Sequence, residues 1–339
     1  MSAINKQTKV INGVDMPDKM IDFALDLFSV PATSTNETGI SIYVSKYLDN
    51  QGIDYKVDIS GNIVISKGEA GNYPCFVSHL DTVHSYGNGF NIALDVDNNI
   101  IALDNAGNRV GCGGDDRNGI FTCLYLLSVV DNIKVVLFSR EETGGIGSGE
   151  IGLDFFDDCS FIASIDRWGN SDFICEYNGY TTCSEEFIND SKDAFNKFGY
   201  KKASGYFTDS FNLMGRGIGI SCMNLSCGYY QHHSDQEYTS LRELWAVCLL
   251  SIELCNIGDD SYAHKPGNGL SLGDSTELDW DIEDIEDSTD KEYMIEVLAD
   301  YEIYTDNPTC AITSLPEDDR NRVLMDFYTD RGYPYISDY

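Results

Sequence analysis

Basic residues are scarce in this chain: 22 Lys+Arg stand against 56 Asp+Glu in 339 residues, a formal net charge of −34. No Lys/Arg cluster interrupts that surplus, which excludes nucleic acid and anionic membrane surfaces as main partners, since clustered cations hold both. Long apolar runs are also missing. The most apolar stretch, Leu244 to Cys255, has 12 residues and contains Glu253, too short to span a bilayer. Met1 to Val14 mixes Lys, Asn and Gln with no apolar h-region, so we expect no targeting signal there. The 11 cysteines include no CxxC pair and read as buried thiols in a reducing compartment. No internal repeat is present. These absences lead us to expect a soluble cytoplasmic protein and leave its oligomeric state open.

What is present is a folding composition, 42% apolar, rather than that of an acidic disordered chain. The acid surplus is uneven. Residues 1–255 hold 34 acids and 17 bases, while residues 256–339 hold 22 and 5, so each part is −17. We therefore expect a catalytic-type domain over 1–256 and an acidic extension over 257–339, whose aromatics suit docking on the core. Helical spacing marks Met20 to Phe28, Ile40 to Leu48, Ile120 to Val130, Glu185 to Phe198 and Leu241 to Leu254. Short apolar runs at Cys75–Ser78, Val135–Phe138 and Phe161–Ile165 suit buried, mostly parallel strands. Tyr55–Ile59 and Ile63–Ile65 add a strand pair around a Ser-Gly-Asn turn. The alternation predicts an α/β fold, a three-layer αβα sandwich with a mixed, mostly parallel central sheet.

Ligands of open α/β sheets gather at the carboxyl ends of strands, and those ends are rich in chemistry. CFVS is followed by His79 and Asp81, and a glycine run at 111–114 by Asp115 and Asp116 ahead of a helix. VVLF leads to Glu141 and Glu142, FIASI to Asp166, and Ser221–Ser226 to Tyr229, Tyr230, His232 and His233. Imidazole together with carboxylate suits zinc, with manganese or cobalt as alternatives. The groups exceed the needs of one ion; two ions about 3.5–4 Å apart, sharing a carboxylate and a water, would use most of them. Plainer readings exist for each residue alone. Asp115 and Asp116 suit helix N-caps, Glu141-Glu142 a solvated pair, Asp166 an ordinary strand end, and Asp209 a cap for the helix starting there. The Gly144–Ser148 stretch lacks a following Lys-Ser/Thr, which argues against a phosphate loop.

In order and spacing, HLD (79–81), GGDDRNG (113–119), EETGGIGS (141–148), the lone Asp166 and CGYYQHHSDQEY (227–238) resemble the co-catalytic di-zinc exopeptidases. That clan includes the tripeptidase/carboxypeptidase-G, leucyl aminopeptidase and tetrahedral aminopeptidase families. The likeness runs roughly from Asp18 to Cys255 and includes the openings Phe28–Ser34 and Asp58–Val64. It implies the zinc-peptidase/phosphorylase-hydrolase-like fold. His79, Asp115 and Asp166 would hold one zinc; Asp115, Glu142 and His233 would hold a second, with Asp115 bridging. Asp81 would orient the His79 imidazole, Glu141 would be the general base, and the Asp115–Asp116 peptide would be cis. His233 matches the clan's ligand, leaving His232 beside it.

Two departures narrow the expectation. Carboxypeptidase-like members insert a lid between the third carboxylate and the last histidine, but Asp166 and His233 lie 67 positions apart here. Tetrahedral aminopeptidases insert a domain between the first His and the bridging Asp, yet His79 and Asp115 lie only 36 apart. The chain thus resembles a minimal catalytic domain. Tyr229 or Tyr230 becomes the candidate for polarising a scissile carbonyl, and Asp209 falls where the clan has an acidic turn near substrate. The expected activity is hydrolysis of a peptide or small amide by a hydroxide bridging two zinc ions, an aminopeptidase first. The runner-up is an N-acyl amino acid deacylase or dipeptidase. A binding or assembly module on a relic of the fold is the non-enzymatic reading, and the presence of Glu141 speaks against it.

Overall fold

The computed structural model describes residues 15–69, 71–87, 89–177, 180–205, 208–257 and 261–265. The chain divides into two units, Met1–Ser204 with Thr208–Gly267, and Gly205–Phe207 with Asn268–Tyr339. The expectation that the acidic extension docks on the core lies outside the described residues.

The architecture follows from how the apolar strands bury their side chains. In β3 (Tyr73–His79), Phe76 enters one apolar cluster while Cys75 and Val77 enter another. β7 (Ile133–Phe138) divides Val135 and Leu137 from Val136 and Phe138, and β8 (Cys159–Arg167) divides Phe161, Ala163 and Ile165 from Ile162. Successive strand side chains face opposite sides, so strands buried on both demand a layer against each. One layer is α1 (Asp18–Phe28), α2 (Thr38–Gln51), α3 (Gly114–Val129), α5 (Glu185–Phe198) and α7 (Leu241–Leu254). The other is thinner: α6 (Asp209–Gly215), with Ile151 and Phe156 from the turn after α4 (Ile146–Glu150). Phe76 is fully buried, edge-on to Phe161 with ring centres 6.0 Å apart; truncating such a ring to alanine costs about 3–5 kcal/mol.

Among the described residues the main sheet has nine strands. The remaining members are β1 (Tyr55–Val57), β2 (Ile63–Lys67), β9 (Asp172–Tyr177), β10 (Tyr180–Thr181), β11 (Lys201–Gly205) and β12 (Cys222–Ser226). Their order is β1-β2-β7-β3-β8-β12-β9-β10, with β11 on β9. The centre, β7-β3-β8-β12, is parallel, while β1-β2 on one side and β9-β10 on the other run antiparallel. Among the described residues no helix is long and apolar enough to cross a membrane, and all ten described cysteines are free thiols.

A second sheet, absent from the sequence expectations, joins β4 (Phe90–Leu94), β5 (Asn99–Asp104) and β6 (Arg109–Val110) to β13 (Tyr229–Tyr230) and β14 (Tyr238–Ser240). Every pairing in it is antiparallel. Its strands are short and half-exposed, so they offer no apolar run to read. Their turns do carry a signature. Asp95…Asn99 and Asp104…Asn108 close β4–β5 and β5–β6, as Asp58…Asn62 closes β1–β2 of the main sheet: one Asp oxygen accepts the main-chain N–H two and four residues on, and the other accepts the Asn side chain. The residue before each Asn is left-handed, Gly61 (φ 91°), Asn98 (φ 60°) and Gly107 (φ 87°), as such side-chain turns favour.

Candidate active site

Sheet register brings the sequence motifs together. His79 closes β3 and pairs with Phe138 of β7, three residues before Glu141. On the other side Val77 pairs with Ser164 of β8, which sets His79 level with Asp166. Asp115 comes from the first turn of α3, and His233 from the loop between β13 and β14. There Gln231 and His233 adopt left-handed backbone (φ 53° and 58°), uncommon for residues with a Cβ. The Asp115–Asp116 peptide is cis.

His79 is 1% exposed. Its Nδ1 lies 3.1 Å from the Asp81 carbonyl and 3.4 Å from Asp81 Oδ1, so Nδ1–H donates there. That leaves Nε2 facing carboxylates, 3.0 Å from Asp115 Oδ1 and 3.6 Å from Asp166 Oδ1. Opposite, His233 Nε2 lies 3.1 Å from Glu142 Oε2 and 3.5 Å from Asp115 Oδ2. Asp115 therefore faces both imidazoles. The Asp81 carboxylate does more than orient His79: its Oδ1 accepts the Glu141 N–H (2.9 Å), and its Oδ2 accepts the Ser34 hydroxyl (2.8 Å) and the Glu142 N–H (3.3 Å). It pins the turn that carries both glutamates.

The electrostatics are those of a buried anionic cluster short of cations. Burial disfavours charge on His79, yet Asp166, Asp115 and Asp81 hold its pKa well above the ordinary value. His233 differs in that its side chain is 46% exposed; burial of its ring disfavours charge only in part, and Glu142 and Asp115 push its pKa up to about 12. Asp115 is held well below the usual carboxylate range by the two imidazoles, against its own burial. Asp166 is raised to about 6 by burial and by Asp115. Burial, then Asp166, Asp209 and Glu142, raise Glu141 well above its usual value.

This donor set fits divalent cations. His79 with Asp115 and Glu142, and His79 with Asp116 and Asp166, each place one ligand atom apiece within 4.8 Å of one another. Glu142 Oε1 is buried without a hydrogen-bond partner, and a buried anionic oxygen in that state calls for a counter-charge. Where imidazole and carboxylate face each other, a cation would meet the same atoms.

No sequence-family profile matches the chain, and no curated protein matches it by sequence. Solved structures do. The aminopeptidase PepT of Bacillus cereus ATCC 10987 aligns with a TM-score of 0.62 at 14% identity, over 71% of this chain and 98% of its own. A tripeptidase of Staphylococcus aureus subsp. aureus Mu50 gives 0.61 at 14%, over 72% and 99%. The Pyrococcus horikoshii TET1 peptidase, described as assembling into a tetrahedron or a large octahedral shell, gives 0.52 at 16%, over 70% and 99%. The fold is that of these peptidases. The motifs had led to the same expectation of fold.

Within that fold, the two aspartates of GGDDRNG take different places. Asp115 faces the imidazoles, whereas Asp116 turns inward: its Oδ1 accepts the Gly119 N–H (2.9 Å) and its Oδ2 the His79 N–H (3.3 Å). The helix-capping reading thus describes Asp116. Tyr229 is buried with its hydroxyl 3.5 Å from Asp166 Oδ1. Tyr230 points elsewhere, donating to Glu243 Oε2 at 2.6 Å and stacking on Tyr238. His232 is exposed, its ring centre 4.9 Å from that of His233. Asp209 opens α6 without capping it; the N-cap is Thr208. Asp209 is 1% exposed, is raised to about 7 by burial, and leaves Oδ1 without a partner.

Several supporting residues escaped the sequence reading. Asn224 brackets the Asp166 peptide, donating to its carbonyl (2.7 Å) and accepting its N–H (2.9 Å), while the Thr208 hydroxyl donates to Asp166 Oδ2 (3.1 Å). Asn62 accepts the Ser139 N–H (3.0 Å) and donates to the Gly147 carbonyl (3.0 Å), bracing the loop around the glutamates. Gly147 has no room for a Cβ, which would lie 2.3 Å from Asn62 Oδ1. Ser34 and Asn62 stand inside the two opening motifs, the one signal that pointed towards them.

Proposed function

We propose that the chain is a metal-dependent exopeptidase, an aminopeptidase in the first instance, acting on peptides or small amides. The observation that carries this reading is the convergence of His79, Asp115, Glu142, Asp166 and His233 on one point beside Glu141. Asp115 would be shared between two ions, with His79 and Asp166 on one and Glu142 and His233 on the other; zinc suits these donors, manganese or cobalt less closely. Such ions, when bound, polarise a scissile carbonyl and supply an activated water.

The chain's own residues do the rest. The Glu141 carboxylate, raised by burial and neighbouring acids, takes a proton from water and returns it to the leaving amine; a base nearer neutrality suits both transfers. Asp81 holds the Glu141 main chain, so the carboxylate is fixed before substrate arrives. The Tyr229 hydroxyl, beside Asp166, donates to the carbonyl oxygen as charge develops on it. Preference for a free amino terminus is drawn from the short spacing between Asp166 and His233, which leaves no room for a separate carboxylate-gripping lid.

The test is metal content together with hydrolysis of aminoacyl anilides, short peptides and N-acyl amino acids by wild type and Glu141→Ala. Bound divalent ions, cleavage of aminoacyl substrates and loss of cleavage in Glu141→Ala are the expected results. Cleavage confined to N-acyl substrates would make the protein a deacylase instead. A purified protein that takes up no divalent ion would end the proposal.

A further inference from the structure

Glu237 stands away from the cluster, yet its carboxylate is fully buried and meets three donors. Oε2 accepts the Gly113 N–H (2.5 Å) and the His84 Nε2–H (2.9 Å), and Oε1 accepts the Asp115 N–H (3.2 Å). These amides belong to the opening turn of α3, whose N-cap, Gly113, offers no side chain. Asp115 and Asp116 depart from helical backbone angles within that turn, so its N–H groups need a partner from elsewhere, and a remote glutamate supplies it. Arg109 Nη2 fixes Glu237 from behind by donating to its carbonyl (2.8 Å).

The surroundings leave little slack. A Cβ on Gly111 would fall 2.0 Å from His84 Cε1, and one on Gly114 would fall 2.5 Å from Thr239 Oγ1. The second sheet explains the meeting. β6 leads into the Asp115 turn, while β13 and β14 flank His233 and Glu237, and all belong to one antiparallel sheet. The loop carrying His233 therefore also carries the carboxylate that holds Asp115.

We propose that Glu237, with His84 as its hydrogen-bond donor, is a positioning residue that aims the Asp115 carboxylate at both imidazoles and so sets the affinity for divalent ions. This rests on the reading of Asp115 as a shared ligand. Gln at position 237 keeps the volume and one acceptor but turns an NH2 group towards a main-chain N–H.

The experiment uses the full chain, freed of metal, as wild type, Glu237→Gln and His84→Ala. Zn2+ binding is followed by calorimetry, Co2+ binding by its visible absorption, and folding by circular dichroism. The expected result is a folded Glu237→Gln protein whose Zn2+ affinity falls about 10–100-fold, the usual effect of removing such a support, with an altered Co2+ spectrum. A merely structural role would lower the melting temperature and leave affinity and spectrum of the folded protein unchanged; that outcome overturns the proposal while the metal site stands. Failure of wild type to bind either ion overturns the metal-site reading and this proposal with it. Should Glu237→Gln not fold, His84→Ala decides, since it leaves both amide bonds in place: a fall in Zn2+ affinity of the folded protein supports the role, and wild-type binding refutes it.

Discussion

Asp81→Asn probes the hinge of the site, and its effect can be worked from three contacts. Asp81 accepts the N–H groups of Glu141 and Glu142 and the hydroxyl of Ser34. Asparagine offers one oxygen. Turned to the Oδ2 position, it sets its NH2 against the Glu141 N–H at 2.9 Å, two donors facing each other. Turned to the Oδ1 position, it keeps the Glu141 bond, and the Ser34 hydroxyl can rotate to accept. Only the Glu142 N–H, at 3.3 Å, is then left without a partner. The second arrangement is cheaper. It loses one bond to a charged group and strands one buried donor, together about 2–4 kcal/mol. For a domain of this size that lowers the melting temperature by roughly 5–15 °C. The assay is thermal unfolding of metal-free wild type and Asp81→Asn across pH. Burial raises the Asp81 carboxyl, but His79, Ser34 and the Glu141 N–H hold it below its usual value. A carboxyl lowered on folding stabilises above its unfolded pKa and loses that contribution as pH falls through the folded value. The gap between the two proteins should therefore be widest near neutrality and close below about pH 4. A variant that melts within about 2 °C of wild type at pH 7, under the same scaling, would refute this account.

Further outcomes follow from the same geometry. Glu141→Gln should lower kcat by about 10²–10⁴-fold with unchanged metal content, because Glu141 belongs to neither ligand group; lost metal in that variant contradicts the assigned role. A Cβ on Gly119 would lie 2.3 Å from Asp116 Oδ2 and 2.6 Å from both the Ile165 carbonyl and Ser78 Oγ. Gly119→Ala should thus cost about 1–3 kcal/mol, read as a lower urea midpoint, and an unmoved midpoint refutes the packing. His79 is held well above its ordinary value and His233 at about 12, so the metal-free site keeps protons that an ion must displace. Zn2+ affinity should accordingly rise with pH between about 6 and 8, with proton release visible in calorimetry across buffers; a flat profile counts against the site.

Much of this protein was legible along the chain, because the information is local. Apolar runs at Cys75–Ser78, Val135–Phe138 and Phe161–Ile165 announced strands buried on both faces, and each is a strand of the parallel centre. Their ends carried His79, Glu141, Glu142 and Asp166, since a strand end in a parallel sheet opens onto the crevice where ligands meet. The motif order added Asp115 and His233. The second sheet was not legible: its strands are half-exposed and marked only by Asp…Asn turns.

Chain order alone could not turn Tyr230 away towards Glu243, or reveal what holds the Asp115 turn. Glu237 and the Asp115 amide are 122 positions apart, and His84 and Glu237 are 153 apart. Neither pair has a spacing that sequence periodicity can express. Sequence determined which side chains were available and at which strand ends they would stand. Only the pairing of distant strands decided their company, because a hydrogen bond depends on distance and angle in space rather than on separation along the chain.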